Sequence, residues 1–165
     1  MQNKITAQQV LDRMSRHWPE AVTPTTELMM RVYRLNDLVL ENARKETSRY
    51  GLTFTEFEVL LGLRSASPPH ELSPTELYSA VLISSGGLTK ILHKLEAHGL
   101  ICRIEHETDG RSKLVRLTEA GRNLAAKAMA GVLESDRKLL TSGLSSSERQ
   151  QLTLLLSRLL HAIEA

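Results

Sequence analysis

LSPTELYSAVLISSGGLTKILHKLEAHGLICRIEHETDGRSKLVRLTEAGR, Leu72 to Arg122, changes its hydrophobic period twice. Ser73, Pro74 and Glu76 make a capping box with proline at the first helical position, which predicts a short helix to about Ala80. The connector VLIS leads into a second helix, Ser84 to His98, with Leu88, Ile91, Leu92 and Leu95 on one side and Gly99 as its stop. After Gly99 the period shortens to two. LICRIEH sets Leu100, Cys102 and Ile104 against Ile101, Arg103 and Glu105, and KLVRL, Lys113 to Leu117, is a second strand behind the turn residues Asp109 and Gly110. Helix, tight connector, helix and hairpin in that order predict a winged helix-turn-helix.

Outward from this segment the chain is helical. Residues 6 to 18 read as a short helix ending at Trp18 and Pro19, and Thr26 to Tyr50 as a long amphipathic one closed by Gly51. Phe54 to Leu63 repeats the helical spacing, with Thr55 as its N-cap, and SASPPHE reads as a loop. Thr118 caps a helix through about Leu140. Ser145 to Glu148, SSSE, opens a last helix whose Leu152, Leu155, Leu156, Leu159, Leu160 and Ile163 form a wide apolar stripe. The fold class is therefore mainly α with a small β-hairpin wing, a winged helix-turn-helix with flanking dimerisation helices. The chain reads as one domain, 1–165, in which 52–118 is the DNA-binding lobe and 1–50 and 119–165 are the dimerisation helices. The terminal stripes exceed what one small lobe can cover, so a homodimer is expected.

Composition narrows the function. The chain has 165 residues, 41% hydrophobic and 24% charged, as in a soluble globular protein, with no run approaching the roughly 20 apolar residues of a membrane span. No signal peptide opens it and its one cysteine, Cys102, fits a reducing cytoplasm. Lys and Arg total 21 against 19 Asp and Glu, so any nucleic-acid surface is local rather than global. One Trp, three Tyr and two Phe are too few for the stacking platforms of single-strand binders, which leaves duplex DNA or a small ligand. An enzyme is disfavoured: there is no phosphate loop and no convincing nucleophile with its base, and no cofactor is expected. His93, His98, Cys102 and His106 have no convergent metal-ligand spacing.

At 100° per residue, Leu92 and Leu95 fall within about 40° of Leu88, and Gly86, Lys90, His93, Lys94 and Ala97 lie on the far side. A helix that buries its leucines thus presents small residues first and donors after them. The glycines each forgo about 1 kcal/mol of helix propensity, which suits a close approach of backbone to phosphate or base edges. Ser84, Ser85, Gly86, Thr89, Lys90, His93 and Lys94 are the candidate major-groove residues. On the hairpin, Arg111 and Lys113 point to a minor-groove contact, with Asp109 placed to hold the Arg111 side chain.

These segments resemble the MarR family of bacterial transcription regulators, whose wing carries Asp-x-Arg followed by a strand and Leu-Thr-x-x-Gly. Here those positions are Asp109, Arg111, Leu117, Thr118 and Gly121. The resemblance extends over about the whole chain and implies an obligate homodimer that acts as a repressor on a pseudo-palindromic duplex operator. RHWPEAVTP and VLISSGGLTKILHKLE are further similar to the PecS-like, urate-responsive branch. That similarity implies a ligand pocket at Trp18, Glu58, Ile91 and Arg103 for a small anionic aromatic effector. Ile91 stands where the branch has arginine, and an isoleucine offers an anionic purine neither charge nor hydrogen bond. The competing class is a winged-helix module that binds protein instead of DNA.

Overall fold

The structure is a computed structural model describing residues 5–81, 85–105 and 113–165, with Ser85 and Glu105 described by backbone alone. The chain divides into two compact units, Met1–Asn42 and Ala43–Ala165.

In the first unit, α1 (Ala7–His17) starts at a capping box in which the Thr6 hydroxyl accepts from Gln9 N–H and the Gln9 side chain accepts from Thr6 N–H. The helix ends where the Trp18 N–H reaches the Met14 carbonyl, and a 3₁₀ turn, Pro19–Ala21, follows. Trp18 itself is exposed. Then comes α2 (Pro24–Ser48), whose C-terminal turns belong to the second unit.

The second unit begins with the end of α2, where Gly51 adopts a φ of +72° that L side chains rarely take. The chain then enters α3 (Phe54–Ser65). Its N-cap is Thr53, not Thr55: Thr53 is extended, its hydroxyl accepts from Glu56 N–H at 3.2 Å, and Glu56 returns the bond to Thr53 N–H at 2.8 Å. The reciprocal pairing needs an acid three residues on, and Thr53 with Glu56 provides it. Next come β1 (Glu71–Leu72), α4 (Pro74–Ala80) behind the expected Ser73 capping box, and α5 (Ser85–Ala97), after which Gly99 at φ +67° turns the chain.

Strands β2 (Ile101–Glu105) and β3 (Lys113–Leu117) pair antiparallel as expected, with Ile101 opposite Leu117 and Arg103 opposite Val115. The sheet has a third member. β1 pairs with β3, placing Glu71 opposite Arg116, and the Arg116 guanidinium donates to the Glu71 carboxylate at 2.6 Å. Two residues carry no readable period, and of the stretch SASPPHE read as a loop only Glu71 belongs to this strand. Ile101, Val115 and Leu117 face the core, which puts Arg103 on the inner side and Cys102 on the outer. The outer face is half-buried, and the Cys102 thiol lies 3.8 Å from the Arg116 carbonyl.

The core gathers Phe57, Leu60 and Leu63 of α3, Leu77 of α4, Leu88, Leu92 and Leu95 of α5, the sheet, and the small residues Ala125 and Ala128 of α6 (Glu119–Thr141). Alanines let α6 approach α3 closely. The last helix, α7 (Ser146–Glu164), starts at the expected capping box on Ser145 and has no buried residue. Among the described residues, no helix is long and apolar enough to cross a membrane.

Candidate nucleic-acid interface

The orientation of α5 follows from its sequence. Leu88, Leu92 and Leu95 are buried, and Thr89, Lys90, His93, Lys94 and Ala97 are exposed, as the helical spacing predicts. Ile91 sits at the boundary, half-buried against the core. Ser85 and Gly86 lie in the first turn of the helix, and Ser84 falls outside the described residues, as do Asp109 and Arg111. Lys113, exposed at the start of β3, pairs across the hairpin with Glu105.

Two junctions hold this face in place. The first is the Leu-Thr-x-x-Gly segment. The Thr118 hydroxyl lies 2.7 Å from the Gly99 carbonyl and 3.0 Å from that of Leu100, and it accepts from Gly121 N–H at 3.0 Å. Thr118 N–H also donates to the Leu100 carbonyl. One residue therefore caps α6 and fastens the hairpin's exit to the turn after α5. Gly121 is required there, because a Cβ would overlap the Leu100 carbonyl oxygen.

The second junction was not anticipated. Lys94 Nζ lies 2.6 Å from Glu56 Oε1, and the Glu56 side chain is only 4% exposed. Burial by itself would raise the pKa of this carboxyl. The Lys94 ammonium, the Thr53 N–H and the Thr53 hydroxyl outweigh it and hold the group below its ordinary value. Lys94 is on the exposed face, yet its charge turns back to α3. The only trace in the sequence is a threonine three residues before an acid, which marks a helix start and says nothing of a partner in α5.

Of the four residues expected to form a ligand pocket, Glu58, Ile91 and Arg103 belong to the second unit. Glu58 lines a groove of about 480 Å³ with Leu61, Arg64, Ala80, Val81 and Met129, and burial raises its pKa against the opposing pull of Arg44. Arg64 is engaged elsewhere: its guanidinium donates to His70 Nε2 at 2.8 Å, so the His70 proton sits on Nδ1 and goes to the Ala66 carbonyl. Arg103 lies 3.3 Å from Glu96, and neither it nor Ile91 is a wall of that groove. Trp18 belongs to the other unit.

The arrangement is a basic, donor-bearing helix face backed by leucines and flanked by a three-stranded wing. Residues 50–112 match the MarR family model, described as MarR_2. The HTH-type transcriptional regulator PecS of Dickeya dadantii is 34% identical over 130 residues, which cover 79% of this chain and 76% of that protein. The chain belongs to the MarR family. Its fold agrees: wild-type MarR from E. coli, in the apo form, superposes with a TM-score of 0.73 at 26% identity, over 84% of this chain and 98% of MarR. A MarR mutant from E. coli complexed with operator DNA gives a TM-score of 0.68 at 24% identity, covering 89% and 97% of the two chains. This MarR-family member is thus a transcriptional regulator of winged helix-turn-helix fold.

Proposed function

We propose that the protein is an effector-responsive repressor that binds a pseudo-palindromic duplex as a homodimer. The observation that carries the reading is the division of α5, with Leu88, Leu92 and Leu95 buried and Thr89, Lys90 and His93 turned outward. That face has the donors a major groove accepts. Two copies are supported by the stripe on α7, where Leu154, Leu155, Leu159, Leu160 and Ile163 are each at least 50% exposed. A two-fold dimer covering it sets two recognition helices about 34 Å apart, one duplex turn. Arg111 and Asp109 are carried from the sequence resemblance alone, as a minor-groove contact.

For the effector, the groove at Glu58 supports a small ligand that donates a hydrogen bond to that carboxylate. An anion would meet the Glu58 carboxylate, while Arg64, with one guanidinium nitrogen on His70, keeps further N–H donors beside the groove. Such a ligand needs to prefer one spacing of the two reading helices by only about 1 to 3 kcal/mol to change occupancy.

Selection of bound duplexes from a random pool tests the reading, with half-site spacing and salt dependence as readouts. Binding of a palindrome with a steep salt slope supports it. Absence of salt-dependent duplex binding in dilute buffer would replace it with a protein-interaction module. On the selected site, Arg111→Ala is expected to weaken binding by about 1–3 kcal/mol while the sedimentation coefficient stays that of a dimer.

A further inference from the structure

We propose that Lys94 is a positioning residue: its ammonium, held on the buried Glu56 carboxylate, pins α5 against the first turn of α3 and so sets the angle at which Thr89, Lys90 and His93 present themselves. The last clause rests on the duplex-binding reading, whereas the pin itself does not. Three leucines on one stripe hold α5 by apolar contact, which is non-directional and resists rolling of the helix weakly. Lys94 lies about 120° around the helix from Leu88, well off that seam. A directional bond placed there fixes the roll that the leucines leave free. The carboxylate is itself anchored, since Oε2 accepts from Thr53 N–H at 2.8 Å while Oε1 takes Lys94 Nζ at 2.6 Å.

The alternative role, a phosphate contact, conflicts with this geometry. Reaching a phosphate would take the ammonium from a carboxylate that is 4% exposed and leave that charge without its cation. Nor would the move add much positive charge to the face, because the pair is already neutral as it stands. Lys90, for which no ion pair is seen among the described residues, carries charge available to DNA on this face.

The test uses full-length protein carrying Lys94→Met, Lys94→Arg, Glu56→Gln, or Glu56→Gln with Lys94→Met, each checked for folding by circular dichroism. Glutamine retains the cap, since its side-chain oxygen can still accept from Thr53 N–H. Binding is measured across a range of salt concentrations, to a duplex selected by the wild type and to a scrambled duplex. Lys94→Met and Glu56→Gln are each expected to lower affinity for the selected duplex about tenfold, with the scrambled duplex and the salt slope unchanged. The double variant is expected to be no worse than either single one, and Lys94→Arg to recover most of the loss. A fall of about 0.9 in the slope with Lys94→Met, on both duplexes alike, would overturn the proposal, as would tighter binding by Glu56→Gln. Amide hydrogen exchange supplies a readout without DNA. Protection over residues 91–97 should drop in both single variants while α6 stays protected, and unchanged protection also overturns the pin. A wild type that ignores duplexes but shows the exchange effect would sink the proposed function and leave the pin standing.

Discussion

Leu95 on α5 and Leu155 on α7 belong to the same compact unit and to helices with the same apolar spacing, yet one is 0% and the other 60% exposed. The difference teaches what periodicity can and cannot say. It identifies which face of a helix avoids water, because side chains three and four apart share a face. It does not identify what covers that face. For α5 the cover is α3 and the sheet of the same unit, whereas α7 has no buried residue. Burying a leucine is worth about 1.5–3 kcal/mol, so a row of them left in water is a strong drive toward a second copy.

Truncating Leu95 to alanine gives the largest expected effect. It should lower the unfolding free energy by about 2–5 kcal/mol in urea titration, by the same amount at every protein concentration. A concentration-dependent loss would break the comparison, since it would place Leu95 at an interface. Changing Leu155 and Leu159 together to alanine should instead act through association, by about 2 kcal/mol or more. Sedimentation should shift toward the single subunit, and the apparent midpoint should fall further on dilution. Equal loss at all dilutions would mean that α7 is covered within its own chain.

Gly121→Ala sharpens the picture of the self-covered region. The added methyl must displace the Leu100 carbonyl at the joint between α5, the wing and α6, for an expected loss of about 1–3 kcal/mol read from the melting temperature. The smallest effect is pH-linked. Glu56 has a lowered pKa in the folded chain, so its contribution is fully present above the ordinary carboxyl value of 4.5 and fades as pH falls through the lowered one. Wild type should therefore lose stability relative to Glu56→Gln on acidification in that window. A constant difference between the two across it would show that the carboxylate is not held by Lys94.

Much of the recognition lobe was legible because its signals are local. The capping boxes at Ser73 and Ser145, the stop at Gly99, the two hairpin strands and the buried side of α5 depend on neighbours within a few residues. The errors have equally physical causes. Thr55 lies inside the first turn of α3, whereas the reciprocal capping bond requires Thr53 and Glu56. β1 escaped because a two-residue strand exists only through its partner β3. In the candidate site, Thr89, Lys90 and His93 lie on the outward face as read, while Lys94 shares that face but not its freedom. The grouping of Trp18, Glu58, Ile91 and Arg103 rests on resemblance and not on spacing, since proximity among distant segments is set by packing.

The sequence by itself determined where helices start and stop and which side of each is apolar, since caps and stripes arise from bonds and angles a few residues long. Only the tertiary structure decided that the Lys94 charge is spent on Glu56, that Arg64 is bound to His70, and that the stripe on α7 stays bare. Those outcomes turn on which distant surfaces meet, and a buried carboxylate or an uncovered leucine acquires its meaning only from what lies against it.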